Sequence, residues 1–206
     1  MPRTYAQDSV APEVALLRLR DGNERFVAGE GNALRDWHPG LTDAQRPFAI
    51  ILGCSDSRAP AEYVFDQGLG DLFVIRVAGN IIAPSLVGSV EFAVGSFGTR
   101  LVVVMGHTQC GAIKATVNAL EHGGEPESEH IKSIVDFITP HVQELFDGPG
   151  EHDARLAEAE RVNAVVSAAE LRNSSPFLHD LVEEGRIKIV SAIYDLATGK
   201  VTFLEE

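Results

Sequence analysis

Residues 47–58 read PFAIILGCSDSR, and the fold turns on this stretch. Its first half is an unbroken apolar run, short enough for a strand and flanked by turn residues, which is the pattern of a β-strand buried on both faces. Its second half changes at once to glycine, cysteine and polar residues. Residues 101–111, LVVVMGHTQCG, repeat the design. Two strands buried on both faces need helices on both sides, and the intervening sequence supplies them. Residues 84–97 place Leu86, Val90, Ala93, Val94 and Phe97 on one helical face. Residues 154–172 do the same with Ala159, Val162, Val166 and Ala169, and Ser175-Pro176 reads as a cap followed by proline at the first helical position. Residues 72–76 and 187–193 add two further strands. The turn at 195–199 leads into a last strand at 200–204, closing a C-terminal hairpin.

Strands alternating with helices predict an α/β fold. The expected sheet is mostly parallel, of about four strands plus a C-terminal antiparallel edge strand, with flanking helices. Residues 13–27 form a further amphipathic helix, set off by the loop at 29–40. No repeat or low-complexity linker divides the chain, and the polar stretch 121–129 is too short for a boundary, so the expectation is a single domain over 1–206.

Composition narrows the partners. The 206 residues are 45% hydrophobic and 23% charged, the profile of an ordinary globular chain. Thirty Asp and Glu against 17 Lys and Arg leave a net charge of -13. That sign is wrong for phosphate backbones and anionic lipid surfaces, so neither nucleic acid nor membrane is an expected partner. The longest purely apolar runs, 48–52 and 101–105, are far too short to span a bilayer. The N-terminus holds no apolar core of a signal peptide, which makes the cytoplasm the expected compartment. There, two cysteines serve as buried apolar residues, metal ligands or reactive thiols rather than a disulfide.

In an open parallel sheet, ligands bind beyond the carboxyl ends of the strands. Cys54, Asp56 and Arg58 follow the first strand, and His107 and Cys110 the third. If these strands are neighbours, two thiols, an imidazole and a carboxylate converge. Two sulfurs, one nitrogen and an open or oxygen-filled fourth position suit zinc in a catalytic site rather than a closed structural one. Alternation along an extended segment would put Cys54, Asp56 and Arg58 on one side, with the guanidinium able to grip the carboxylate. The start of a helix near 112–120 would favour an ionised Cys110. Taken singly, each residue has an ordinary structural reading: a buried apolar cysteine, a core histidine, a surface ion pair. Their coincidence at two strand ends favours the metal site. His38, His122, His130, His141, His152 and His179 sit in polar or helical contexts and are expected to be solvated.

CSDSR at 54–58 together with GHTQCG at 106–111 resembles the β-class carbonic anhydrases, as do FVIRVAGN at 73–80, EFAV at 91–94 and AIYDLATGKV at 192–201. The resemblance runs from about residue 11 to the end. It implies one zinc ion per subunit on Cys54, His107 and Cys110, and reversible hydration of carbon dioxide to bicarbonate by zinc-bound hydroxide. Asp56 would change roles: fourth ligand in a closed form, partner of Arg58 and acceptor of the hydroxide hydrogen bond in an open one. The resemblance further implies a substrate pocket involving Gln45, contributed across a dimer interface, with Phe73, Ala78, Phe92 and the Gly111 backbone N–H. Two positions depart from the family pattern. Phe92 stands where tyrosine is common, and Ala78 where a bulkier residue would narrow the pocket. The family forms homodimers, often paired into homotetramers. The segment 1–40 is the expected helical arm over the partner, its Leu16, Leu19 and Phe26 face having little local sequence to cover it. Two other readings stand beside this one: a zinc hydrolase of the same fold acting on carbon disulfide or carbonyl sulfide, and a zinc-binding or redox scaffold without turnover.

Overall fold

β1 (Ala49–Gly53) and β3 (Leu101–His107) are buried at every position and lie side by side in parallel. The computed structural model describes residues 9–31, 39–148 and 150–205. Around these two strands it builds a five-stranded sheet in the order β2-β1-β3-β4-β5, with β2 at Leu72–Arg76, β4 at Lys188–Tyr194 and β5 at Val201–Glu205. The first four strands are parallel and β5 pairs antiparallel with β4. The expected fold is the observed one, and strand boundaries differ from the sequence reading by at most two residues. The order places β1 and β3 at the switch point, where chain connections leave in opposite directions and open a crevice at the strand ends.

Alternation along the strands divides the core. Ala49, Ile51, Val103 and Met105 face one layer, while Ile50, Leu52, Val102 and Val104 face the other. The second layer is filled by α3 (Pro84–Phe97), α6 (His152–Asn173) and α7 (Pro176–Glu183). α7 starts as its sequence predicts, with Ser175 Oγ accepting the Leu178 N–H beside Pro176. A third cluster lies beyond the strand ends. There Cys54 and Cys110 meet Ile113 and Val117 of α4 (Gly111–His122), Ile138 and Val142 of α5 (Glu129–Val142), and Leu156 and Ala159 of α6. α5 escaped the pattern reading. Its cap at Ser128 and the apolar spacing of Ile134, Val135, Ile138 and Val142 were present, but Pro140 within its last turn argues locally for a break.

The N-terminal helix requires a correction. In α1 (Pro12–Ala28), Ala15, Leu16 and Leu19 are buried against the strands of their own chain, with Phe26 packed at the edge of the same cluster. That face is therefore covered within one copy; residues 1–8 and 32–38 of the expected arm lie outside the described residues. Asn23 pins the helix: its Nδ2 donates to the Val64 carbonyl of α2 (Ala61–Val64) and to the Gly199 carbonyl, and its Oδ1 accepts the Val201 N–H. Gly22 allows the approach, because a Cβ there would lie 1.8 Å from the Phe65 carbonyl oxygen. Gly22→Ala is expected to lower the unfolding free energy by about 1–3 kcal/mol, the usual cost of overpacking. A lower urea midpoint checks this, and an unchanged midpoint would refute the docking contact. Among the described residues, no helix is long and apolar enough to cross a membrane.

Candidate metal centre

Cys54 leaves β1, His107 ends β3 and Cys110 caps α4. Because the two strands are neighbours, the three side chains meet, with their ligand atoms all within 4.8 Å of one another and all three residues buried. The two sulfurs are 4.0 Å apart and both cysteines are free. A disulfide would need about 2.05 Å, whereas two Zn–S bonds of about 2.3 Å at a tetrahedral angle span roughly 3.8 Å. The imidazole adds an independent indication. His107 Nδ1 lies 2.9 Å from the Thr108 carbonyl, so Nδ1 carries a proton and Nε2 is the ring atom turned to the sulfurs. That Nε2 is buried without a hydrogen-bond partner. A buried ring nitrogen without a partner beside two sulfurs is costly unless it binds something, and the donor set fits a zinc ion.

The thiols do not ionise alike. The Cys110 S–H bonds the Cys54 sulfur, which together with the His107 ring and the Gly79 and Asp56 backbone outweighs burial and brings the Cys54 thiol down to about 4. The same contact, with burial, pushes Cys110 up, and the α4 backbone N–H groups only partly offset it. The start of α4 does act on Cys110 in the expected direction, since the Ile113 and Ala112 N–H groups favour its thiolate. Burial opposes a charged His107, but the neighbouring Cys54 sulfur, the Thr108 carbonyl and Asp56 hold its pKa above the ordinary value.

Asp56 lies at the mouth of the cluster, its Oδ2 3.8 Å from His107 Nε2. Arg58 grips it in a fork, with Nε on Oδ1 at 2.9 Å and Nη2 on Oδ2 at 2.7 Å. The segment is not extended, as alternation had suggested. Asp56 Oδ1 also accepts the Arg58 N–H and the chain turns there, which is how an Asp side chain captures the backbone two residues on. Arg58 holds the carboxyl well below the usual carboxylate range. Arg76, at the end of β2, donates to the Cys54 and Asp56 carbonyls and ties this loop to the sheet.

Of the expected substrate residues, Ala78 and Gly111 lie at the cluster. Ala78 precedes Gly79, whose N–H donates to Cys54 Sγ at 3.4 Å, and Gly111 follows Cys110 at the open start of α4. Gln45, Phe73 and Phe92 do not. Phe73 pairs with Ile50 in the sheet, four residues before Cys54, which is about 13 Å back along the strands. It packs with Phe92 and Phe97, ring centroids 6.3 and 6.0 Å away, and Phe97 also lines the cleft that contains Gln45. Sequence reasoning missed three polar residues near the centre. Glu160 and Asn163 are buried on α6, and the His141 side chain, expected to be solvated, is only 4% exposed between Asn163 and Glu170. His122, His130, His152 and His179 are exposed as expected, and His38 lies outside the described residues.

Residues 49–201 match the family model described as carbonic anhydrase. The chain is 41% identical over 198 residues to a carbonic anhydrase of Mycolicibacterium smegmatis, covering 92% of both chains. It is 37% identical over 197 residues to carbonic anhydrase 2 of Mycobacterium tuberculosis, covering 92% of this chain and 91% of that one. Among solved structures, the β-carbonic anhydrase CcaA is similar with a TM-score of 0.70 at 26% identity, over 94% of this chain and 92% of that one. A tetrameric β-carbonic anhydrase of Sordaria macrospora shares the fold with a TM-score of 0.70 at 22% identity, over 81% of this chain and 84% of that one. A Cys-His-Cys cluster at the switch point of this sheet, in a chain so closely matched, leads to one assignment: the chain belongs to the β-class carbonic anhydrase family.

Proposed function

We propose that this chain, as one domain, catalyses the reversible hydration of carbon dioxide to bicarbonate and a proton, with one zinc ion per subunit held by Cys54, His107 and Cys110. The observation that carries the reading is the buried, unpartnered His107 Nε2 between two thiols, with a carboxylate–guanidinium pair at the mouth. Zinc held there supplies hydroxide by acidifying its water, less strongly beside two thiolates than beside three imidazoles.

The side chains of the chain do the rest. Asp56 accepts the hydrogen bond of the nucleophile and so aims its lone pair at the substrate carbon. Arg58 keeps that carboxylate ionised and outside the ligand set; released from Arg58, Asp56 is close enough to the cluster to take the fourth position and block turnover. The Gly111 N–H is one of the donors that a helix start leaves free, and it serves a substrate oxygen. Ala78 lines the apolar side with a single methyl. Gln45, Phe73 and Phe92 are too far from the cluster of their own chain, so they enter the site from a second copy, in a homodimer or a homotetramer of such pairs.

The test is turnover of carbon dioxide, carbonyl sulfide and carbon disulfide by protein of known zinc content. Carbon dioxide hydration as the dominant activity is expected. Preferred hydrolysis of either sulfur compound would overturn the substrate, a result the small side chain at Ala78 makes worth seeking. Stoichiometric zinc without oxygen exchange between carbon dioxide and water from about pH 7 to 9, the range around the acidified water of zinc enzymes, would leave a scaffold without turnover.

A further inference from the structure

Two polar side chains that the proposed reaction does not touch hold the loops carrying the sulfur atoms. Glu160 and Asn163 stand three apart on α6 and so share a helix face, and both are buried. Glu160 Oε1 accepts the Cys110 N–H at 2.9 Å. Asn163 Nδ2 donates to the Gly79 carbonyl at 2.9 Å, across 84 residues of chain. Gly79 is thus held at both polar groups, since its own N–H donates to Cys54 Sγ.

Gly79 cannot be fixed by a side chain. Its φ is 74°, in the left-handed region, and a Cβ there would lie 2.8 Å from Ile138 Cδ1 and 3.0 Å from Ala112 Cβ. A polar clamp from α6 takes that part. The clamp is itself oriented. Because Asn163 Nδ2 faces a carbonyl, Oδ1 is the atom turned to His141, whose Nδ1 lies 3.0 Å away. His141 Nε2 lies 3.1 Å from Glu170 Oε1 at the surface. His141 thus bridges Asn163 to the surface carboxylate of Glu170.

We propose that Asn163 is a positioning residue of the metal centre, with His141 as its partner: through Gly79 it aims the N–H that bonds the Cys54 sulfur, and so sets how firmly that sulfur holds a metal ion. A hydrogen bond to the sulfur stabilises the thiolate and fixes its direction. Partners of this kind are worth about 10–100-fold in metal affinity. The inference rests on Cys54 being a metal ligand.

Asn163→Leu, similar in size, tests it, together with His141→Leu and His141→Asn. Two quantities are measured: the zinc dissociation constant by chelator competition, and the sulfur-to-metal charge-transfer band of protein loaded with cobalt(II). In Asn163→Leu, zinc binding is expected to weaken by about 10–100-fold and the band to move to lower energy. His141→Leu shifts both in the same direction. His141→Asn, whose amide N–H can replace Nδ1–H, returns both toward wild type. Folded Asn163→Leu with the wild-type constant and band would overturn the inference. If Asn163→Leu does not fold, identical constants and bands in the two His141 variants would overturn it. A wild-type chain that binds neither ion would overturn the metal reading itself, and the inference with it.

Discussion

Cys110→Ser is expected to abolish zinc binding and, with it, carbon dioxide hydration. The substitution removes a soft anionic ligand and leaves a hydroxyl that does not ionise near neutral pH, so two of the three firm ligands remain. The loss in affinity should exceed about 100-fold, the upper end of what a second-sphere partner costs. The fold should survive, because serine is slightly smaller and the position 110 N–H still bonds Glu160. Metal analysis after dialysis measures the loss. A thermal scan separates it from misfolding: anything that binds only the native state raises its stability, so the wild type should melt higher in zinc than in chelator and the variant should melt alike in both. A variant that retains stoichiometric zinc would remove Cys110 from the ligand set.

Asp56→Asn is expected to separate metal binding from turnover. The amide occupies the same volume, and Cys54, His107 and Cys110 are untouched, so zinc content should match wild type. Turnover should fall by about 10²–10⁴-fold, the range for losing a group that manages a proton in the transition state. One carbonyl oxygen cannot accept the whole Arg58 fork that both carboxylate oxygens now share, and a neutral amide has its donor end to present to the nucleophile. The pH dependence has a definite sign. The folded-state pKa of Asp56 is depressed, first by the Arg58 side chain, against burial, and then by the Arg58 N–H. The stability this contributes is present above the ordinary carboxylate value and is lost only as pH falls through the depressed one. Any change in activity between about pH 6 and 9, well above the ordinary carboxylate range, therefore reports another group. An Asp56→Asn enzyme with near-wild-type kcat/KM would remove Asp56 from the mechanism.

Much of the architecture was written in short-range pattern. Apolar runs at 48–52 and 101–105 can be satisfied only by burial on both faces, and the spacing of Leu86, Val90, Ala93, Val94 and Phe97 allows one helical face, observed at Pro84–Phe97. The Cys54, His107 and Cys110 cluster was legible for the same reason, since all three residues sit at or just beyond the ends of two buried strands, next to Gly53 and Gly106. α5 shows the limit of such reading: Pro140 is a break signal in isolation, but packing of Ile138 and Val142 against α4 and α6 carries the helix past it.

Sequence alone, then, determined the strands, most of the helices and the residues offered as ligands, because each depends on neighbours a few positions away. Only the tertiary structure decided that the face of α1 is covered by its own chain, that the Cys54 and Cys110 sulfurs lie 4.0 Å apart, and that Gln45, Phe73 and Phe92 lie far from the cluster of their own chain. It alone also brought His141 to Asn163 and Asn163 to Gly79. Hydrogen bonds spanning 22 and 84 residues leave no periodic trace in a sequence; they exist because α5 and α6 are packed over the ends of β1 and β3.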